Sequence, residues 1–151
     1  MAGGELTHEM EVNVAAPKAW ELYGTLRLSE MVRQELSHIL SGVEVVEGDG
    51  GVGTIIKLTF QSGMSYKELF TKVDNEKFHK ETETVEGGFL DLGFSLYRVT
   101  FDIFEKGSDA CNIKTTIQYQ VKEDSTVDTS IVSIGPLAAV AEAAKKQLTS
   151  P

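Results

Sequence analysis

Two residues of opposite charge, Glu68 and Lys80, occupy neighbouring segments that also carry aromatic residues. Tyr66 and Glu68 are separated by one residue, so in an extended strand their side chains point to the same side. A carboxyl group, an amino group and a phenol gathered on one side of a sheet can donate and accept protons in acid–base chemistry. Tyr66, Glu68 and Lys80 are therefore the candidate catalytic residues.

Both segments have the alternation of β-strands and flank a turn-forming pair, Asp74-Asn75. In the second segment Phe78 and Lys80 share one face, and the alternate residues, including Glu81, form a solvated face. Hairpin pairing about Asp74 predicts that Glu68 lies directly opposite Lys80.

The inward charges have two interpretations. Burying an unpaired charge costs on the order of several kcal/mol, so such groups pair with each other, meet water or serve chemistry. Partial burial would lower the pKa of a lysine and raise that of a carboxyl group, towards values useful in catalysis. A cross-strand salt bridge with a purely structural role is the alternative that the pattern leaves open.

The rest of the chain predicts one antiparallel sheet and three helices. A short helix begins at Ala16-Pro17, and a second covers residues 29–36 with Ser29 as its cap. A long C-terminal helix carries apolar residues from Ile131 to Leu148, and Pro136 either kinks it or starts a new turn. Its alanine-rich inner face predicts a cavity beneath it. The predicted strands are residues 5–13, 38–48, 53–61, 65–73, 77–86, 94–105 and 112–122.

Length and charge limit the function. The 151 residues predict one α+β domain spanning 1–151. With 23 acidic against 14 basic residues the formal net charge is −9, which argues against nucleic acid and against an anionic membrane as partners. No apolar run reaches the length of a membrane span, and no signal peptide is visible, so we expect a cytoplasmic protein.

Other motifs do not support a cofactor or a metal. The segment 47–54 is rich in glycine but lacks the Gly-Lys-Ser/Thr ending of a phosphate loop, so a tight connection between strands is the better interpretation. His8, His38 and His79 do not have metal-ligand spacing, and Cys111 has no second cysteine to pair with.

The glycine-rich segment 47–54, the Val85-Glu-Gly-Gly-Phe89 turn and the terminal helix resemble the plant pathogenesis-related, birch-pollen-allergen (Bet v I) superfamily. The resemblance covers essentially the whole chain. It implies a helix-grip, START-like fold: seven curved antiparallel strands around a long C-terminal helix, two short helices in a V, and a large hydrophobic pocket.

Within that superfamily, four segments are similar to the norcoclaurine and norbelladine synthases. They are residues 66–70, 73–76, 86–93 and 134–139. This resemblance implies that Tyr66, Glu68 and Lys80 are catalytic. It places the pocket phenylalanine of those enzymes at Phe70. An aspartate that norcoclaurine synthases carry near the pocket mouth falls on Val99, so one member of the set is missing.

The resemblance implies a function in alkaloid biosynthesis. A phenolic arylethylamine, dopamine or tyramine, would condense with an aryl aldehyde to an imine, with or without a Pictet–Spengler cyclisation, and a reductase could act on the imine. Substrate contacts are expected from Phe70, Phe78, Tyr97, Val99 and Leu137, and no cofactor is required. One alternative is a non-catalytic carrier of phytohormones or alkaloid intermediates. A ribonuclease is a second alternative, and the acidic net charge argues against it.

Overall fold

The computed structural model describes residues 3–150 and contains seven strands and three α-helices. The strands are β1 (Gly3–Val12), β2 (Leu40–Glu47), β3 (Ile55–Phe60), β4 (Ser65–Asp74), β5 (His79–Gly87), β6 (Phe94–Glu105) and β7 (Cys111–Val121). The helices are α1 (Ala16–Tyr23), α2 (Arg27–Glu35) and α3 (Gly135–Thr149). Short 3-10 helices occupy Gly88–Leu92 and Thr129–Ile131.

The seven strands form one antiparallel sheet in the order β1-β7-β6-β5-β4-β3-β2. Strands β2 to β7 are joined in sequence by short connections, and the last strand, β7, pairs with the first strand, β1. The glycine-rich segment is the connection from β2 to β3, where Gly50 N–H donates to Thr54 Oγ1 over 2.8 Å. The predicted α+β architecture of a curved sheet around a C-terminal helix is confirmed.

The pairing of β4 with β5 differs from the prediction. Glu68 is paired with Thr84, and Lys80 is paired with Val73, so the two charged residues are not opposite each other. Irregularities in the ladder leave Val85 and Thr71 without a partner, one on each strand. Such bulges shift the register and bend the strand, and the alternation of residue types does not reveal them.

The two short helices follow one another through the segment 24–26. Pro17 lies in the first turn of α1, where its missing N–H costs no hydrogen bond. The predicted cap at Ser29 is wrong, because α2 begins earlier, at Arg27. Ser29 Oγ instead donates to the Leu26 carbonyl oxygen over 2.9 Å.

The long helix α3 begins at Gly135 with Pro136 in its first turn, which confirms that proline starts a new helix. Asp128 caps the preceding 3-10 helix, where its Oδ1 accepts from Ser130 N–H. Ala141 and Ala144 are 2% and 0% exposed, and Ala144 belongs to a cluster of core residues with Val12 and Trp20. The alanines therefore bring the second half of α3 close to its neighbours instead of leaving space there.

Candidate active site

A cavity of about 340 Å³ lies between the inner face of the sheet, α2 and the first half of α3. Sheet residues from β3 to β6 form one wall, and Pro136, Leu137 and Val140 contribute from α3. Most of the lining is apolar, so the few polar groups decide where a ligand can form hydrogen bonds.

Four apolar residues line the cavity and are also exposed to solvent, namely Ile39, Met64, Leu92 and Ile131. Their exposed fractions range from 36% to 51%. They mark the mouth of the cavity, since each side chain faces both the interior space and bulk water. An apolar mouth favours aromatic molecules over small ions.

Lys80 is 3% exposed and lines the cavity from β5. Its Nζ donates to the carbonyl oxygens of Tyr23 over 3.1 Å and of Thr25 over 3.4 Å, at the C-terminal end of α1. Nζ also lies 4.2 Å from the ring centroid of Phe70. Burial lowers the pKa of this amine to about 8, and the Glu68 charge opposes part of that effect.

Glu68 lines the same cavity from β4. Burial desolvates its carboxyl group and raises the pKa, whereas the Thr82 hydroxyl and the Lys80 charge act in the opposite direction. Within residues 3–150, no ion pair shorter than 4.0 Å joins Glu68 to Lys80. The structural salt bridge that the sequence left open is therefore absent from this part of the chain.

Two phenols lie near Glu68. Desolvation raises the pKa of Tyr66 well above its ordinary value, and the charge of Glu68 raises it further. The same two causes raise the pKa of Tyr97 to about 12. Both phenols stay protonated at neutral pH, so each can donate a hydrogen bond to a ligand oxygen or to the carboxylate.

The cavity contains four of the five residues expected to contact substrate, which are Phe70, Tyr97, Val99 and Leu137. The expectation for Phe78 is wrong. Phe78 precedes β5 with a φ of 52°, and its ring stacks on Trp20 with centroids 5.6 Å apart. The left-handed backbone at this residue breaks the strand alternation on which the expectation rested.

Two phenylalanines that the sequence analysis did not identify stack on the rings of Tyr66 and Tyr97. Phe60 stacks on Tyr66 with ring centroids 5.5 Å apart, and Phe89 stacks on Tyr97 at 4.6 Å. Both phenylalanines line the cavity. The signal for Phe60 was its inward place in the alternation of β3, whereas Phe89 lies in a 3-10 helix and gives no periodic signal.

No group of three or more His, Cys, Asp or Glu side chains between residues 3 and 150 could hold a metal ion. None of the helices described is long and apolar enough to cross a membrane.

A curved sheet gripping a helix over a mostly apolar cavity defines a class of small ligand-enclosing proteins. The family model that matches this chain, over residues 1–142, is that of the pathogenesis-related protein Bet v 1 family. The chain belongs to this family, which confirms the resemblance noted in its sequence.

Two relatives are synthases by name. The chain is 43% identical over 149 residues to norbelladine synthase of Narcissus pseudonarcissus, covering 96% of this chain and 91% of that protein. It is 38% identical over 143 residues to S-norcoclaurine synthase of Thalictrum flavum subsp. glaucum, covering 92% of this chain and 68% of that protein.

Solved structures agree with the sequence comparison. A truncated norcoclaurine synthase from Thalictrum flavum superposes with a TM-score of 0.88 at 36% identity, covering 99% of this chain and 96% of that one. Norcoclaurine synthase from the same plant in complex with dopamine and hydroxybenzaldehyde gives a TM-score of 0.85 at 36% identity, covering 97% and 87%.

Proposed function

We propose that this protein condenses a phenolic arylethylamine, dopamine or tyramine, with an aryl aldehyde to form an imine in alkaloid biosynthesis. The observation that carries the proposal is the set of proton-transfer groups, Glu68, Lys80, Tyr66 and Tyr97, on the wall of an otherwise apolar cavity. The similarity to norbelladine and norcoclaurine synthases supports the same conclusion.

Lys80 is suited to hold the phenolic hydroxyl of the amine. Because its pKa is about 8, a fraction of Lys80 is a neutral amine near neutral pH. A neutral amine has two N–H groups, and the carbonyl oxygens of Tyr23 and Thr25 can accept both. The nitrogen lone pair is then free to accept a hydrogen bond or the proton from the substrate phenol.

Glu68 is suited to move the protons of the condensation. As a carboxylate it takes a proton from the substrate ammonium, which frees the nitrogen lone pair to attack the aldehyde carbon. The carbinolamine forms after a proton passes from nitrogen to oxygen. Protonated Glu68, favoured by its raised pKa, then donates to the carbinolamine hydroxyl. Water leaves, the carbon–nitrogen double bond forms, and the carboxylate accepts the remaining proton from nitrogen.

Tyr66 and Tyr97 orient the aldehyde by hydrogen bonds to its oxygen, and the apolar lining holds the two aromatic rings. Holding both reactants in one cavity can contribute up to about 7–11 kcal/mol by removing the entropy cost of their encounter. This positioning is the largest contribution that the cavity offers to the rate.

We propose the imine, and not a cyclised compound, as the product. Pictet–Spengler closure requires a base to remove the ring proton, and the resemblance implies that the aspartate expected near the pocket mouth of a cyclase is replaced here by Val99. Val99 lines the cavity but offers no proton-transfer group. Cyclisation would then depend on Glu68 or Lys80 as the base.

The experiment is incubation of the protein with dopamine or tyramine and a panel of hydroxylated benzaldehydes, followed by borohydride trapping. We expect secondary amine above the background reaction, which chromatography with mass detection quantifies. Glu68→Gln and Lys80→Met should reduce it. Glu86→Gln and Lys67→Met are matched controls, because these residues form an ion pair of 3.0 Å outside the cavity.

Two other outcomes would change the assignment. An excess of one enantiomer in a cyclised product would make the protein a cyclase. Saturable binding of phenolic ligands without turnover across the whole panel would make it a carrier, which the predominantly apolar lining could also serve.

A reductase partner and a cytoplasmic location complete the proposal. The imine contains a carbon–nitrogen double bond that a hydride donor reduces to a stable amine, so a reductase would consume the product. The cytoplasmic location is supported by Cys111, a buried free thiol typical of a reducing compartment.

A further inference from the structure

The turn between β4 and β5 is held against α1 by Trp20. Trp20 Nε1 donates to Asn75 Oδ1 over 2.9 Å, and the indole stacks on Phe78 with an interplanar angle of 27°. Trp20 is only 7% exposed, so both contacts are largely shielded from water. The helix and the turn therefore hold each other through one side chain.

The indole also lies against Gly24, the residue that caps α1. A Cβ at Gly24 would clash with Trp20 Cε2, so no side chain fits between this backbone and the ring. Gly24 is flanked by Tyr23 and Thr25, whose carbonyl oxygens accept the hydrogen bonds of Lys80 Nζ. Trp20 thus contacts the backbone that holds the Lys80 amino group.

Phe78 joins the same arrangement from the strand that carries Lys80. Among the described residues, Phe78 is the one non-glycine residue with a positive φ, a conformation that is strained for a residue with a Cβ. Its carbonyl oxygen accepts from Ile103 N–H over 3.0 Å, so the neighbouring strand fixes this conformation. The unusual backbone turns the Phe78 ring to Trp20 just before β5 begins.

We propose that Trp20 and Phe78 are positioning residues that fix the depth of the Lys80 amino group in the cavity. The inference deepens the proposed function and rests on it. Trp20 contacts two segments that together set the position of Nζ. One is the turn from which β5 starts, and the other is the C-terminal end of α1, whose carbonyl oxygens accept the hydrogen bonds of Nζ. If the indole is lost, the helix end and the strand separate, and water reaches Nζ.

The groups around Lys80 determine in which direction its pKa changes when water reaches Nζ. The Glu68 carboxyl on β4 is the charged group that acts on it, the carbonyl oxygens of α1 accept its hydrogens, and Phe70 covers it from β4. Burial is the largest cause of its lowered pKa. Access of water therefore raises the pKa of Lys80 towards its ordinary value of 10.5.

The test is an NMR titration of the Lys80 amino group in the whole protein. We expect Trp20→Leu and Phe78→Leu each to raise its pKa by about one unit, and the double variant to raise it by no more than the larger single change, because the two rings act together. Trp20→Phe keeps the stacking and should give a smaller rise. Ile113→Val is the control, since Ile113 is a buried neighbour in the same cluster that does not line the cavity.

An unchanged Lys80 pKa in folded Trp20→Leu and Phe78→Leu would overturn the proposal, as would an equal rise in Ile113→Val. Should Trp20→Leu fail to fold, Asn75→Ala provides the second test. It removes the hydrogen bond of the indole at an exposed residue, and it too must raise the pKa. No rise in folded Asn75→Ala would then overturn the proposal.

Turnover separates this inference from the proposed function. A rise of one pKa unit lowers the neutral fraction of Lys80 at pH 7 about tenfold, so kcat should fall about tenfold at pH 7 and recover at higher pH, with KM little changed. If wild-type protein shows no turnover, the proposed function fails while the titration still tests the positioning. If turnover is present and the titration is unchanged, only the positioning fails.

Discussion

The two faces of β5 each carry a buried ionisable residue, but the surroundings of the two residues are very different. On the inner face Lys80 lies in an apolar cavity with Glu68 of β4, and no ion pair within 4.0 Å joins them in the described chain. On the outer face Glu81 is also buried, at 9% exposure, yet it is surrounded by partners. Its Oε2 accepts from Thr71 Oγ1 over 2.7 Å.

Cationic residues complete the outer group. Arg98 Nε lies 3.6 Å and Lys72 Nζ 3.9 Å from Glu81 Oε1, and an Arg98 guanidinium nitrogen lies 3.4 Å from Glu83 Oε2. These contacts join β4, β5 and β6 across the outside of the sheet. The comparison teaches that a buried carboxylate supplied with partners holds strands together, whereas one left facing a cavity remains available to a ligand.

The largest expected effect is on the inner face. Glu68→Gln should lower the rate of imine formation about 10²–10⁴-fold, because the amide can neither donate an acidic proton nor accept one. Its urea midpoint should equal or exceed that of the wild type, since a desolvated carboxyl group is removed. Initial rates and urea titrations measure the two effects. A wild-type rate in Glu68→Gln would refute the inner-face assignment.

Lys80→Met should come next, with a rate loss of about 10²-fold. In the wild type the rate should rise as pH increases through about 8, because the neutral amine forms there. The variant should lose this rise. Rates measured from pH 6 to 9 check it, and a rise that persists in Lys80→Met would assign the titration to another group.

The outer face should respond in stability and not in rate. Glu81→Ala leaves Arg98 and Thr71 without their shared acceptor, and we expect a loss of about 1–3 kcal/mol in the free energy of unfolding. The initial rate at saturating substrate should stay near that of the wild type. A large loss of rate with unchanged stability would contradict the division between the two faces.

The smallest effect is a pH dependence of stability. Lys80 has a folded pKa of about 8 and an ordinary value of 10.5, so between these values the unfolded chain binds more protons and stability rises with pH. Relative to Lys80→Met, the wild type should gain about 1 kcal/mol between pH 7 and pH 9. Urea midpoints of both proteins at the two pH values measure this difference. No gain would mean that Lys80 is not desolvated.

The inner face of β4 was predictable because it depends on the strand period alone. Tyr66, Glu68 and Phe70 alternate without interruption, and all three line the cavity. The opposition of Glu68 and Lys80 was not predictable, since it depends on bulges at Thr71 and Val85 that no residue type announces. Proximity in the cavity survives this error because both residues keep their inward orientation.

One further error has the same origin in tertiary contacts. The sequence pattern assigns Glu81 to a solvated face, whereas in the structure the long side chain of Arg98 on the next strand lies against it. The predicted cavity beneath α3 is confirmed, and it lies under the first half of the helix, where Pro136, Leu137 and Val140 line it. The alanines of the second half allow close approach, as Ala144 in the main core shows.

The apolar mouth formed by Ile39, Met64, Leu92 and Ile131 has a thermodynamic consequence. The pocket changes how fast the condensation reaches equilibrium but leaves its equilibrium constant unchanged. Because the mouth opens to solvent, each imine is released into bulk water, and water is the other product of the condensation. Net flux through this protein is therefore set by whatever removes the product after release, and a measured yield without such removal understates the turnover of the pocket.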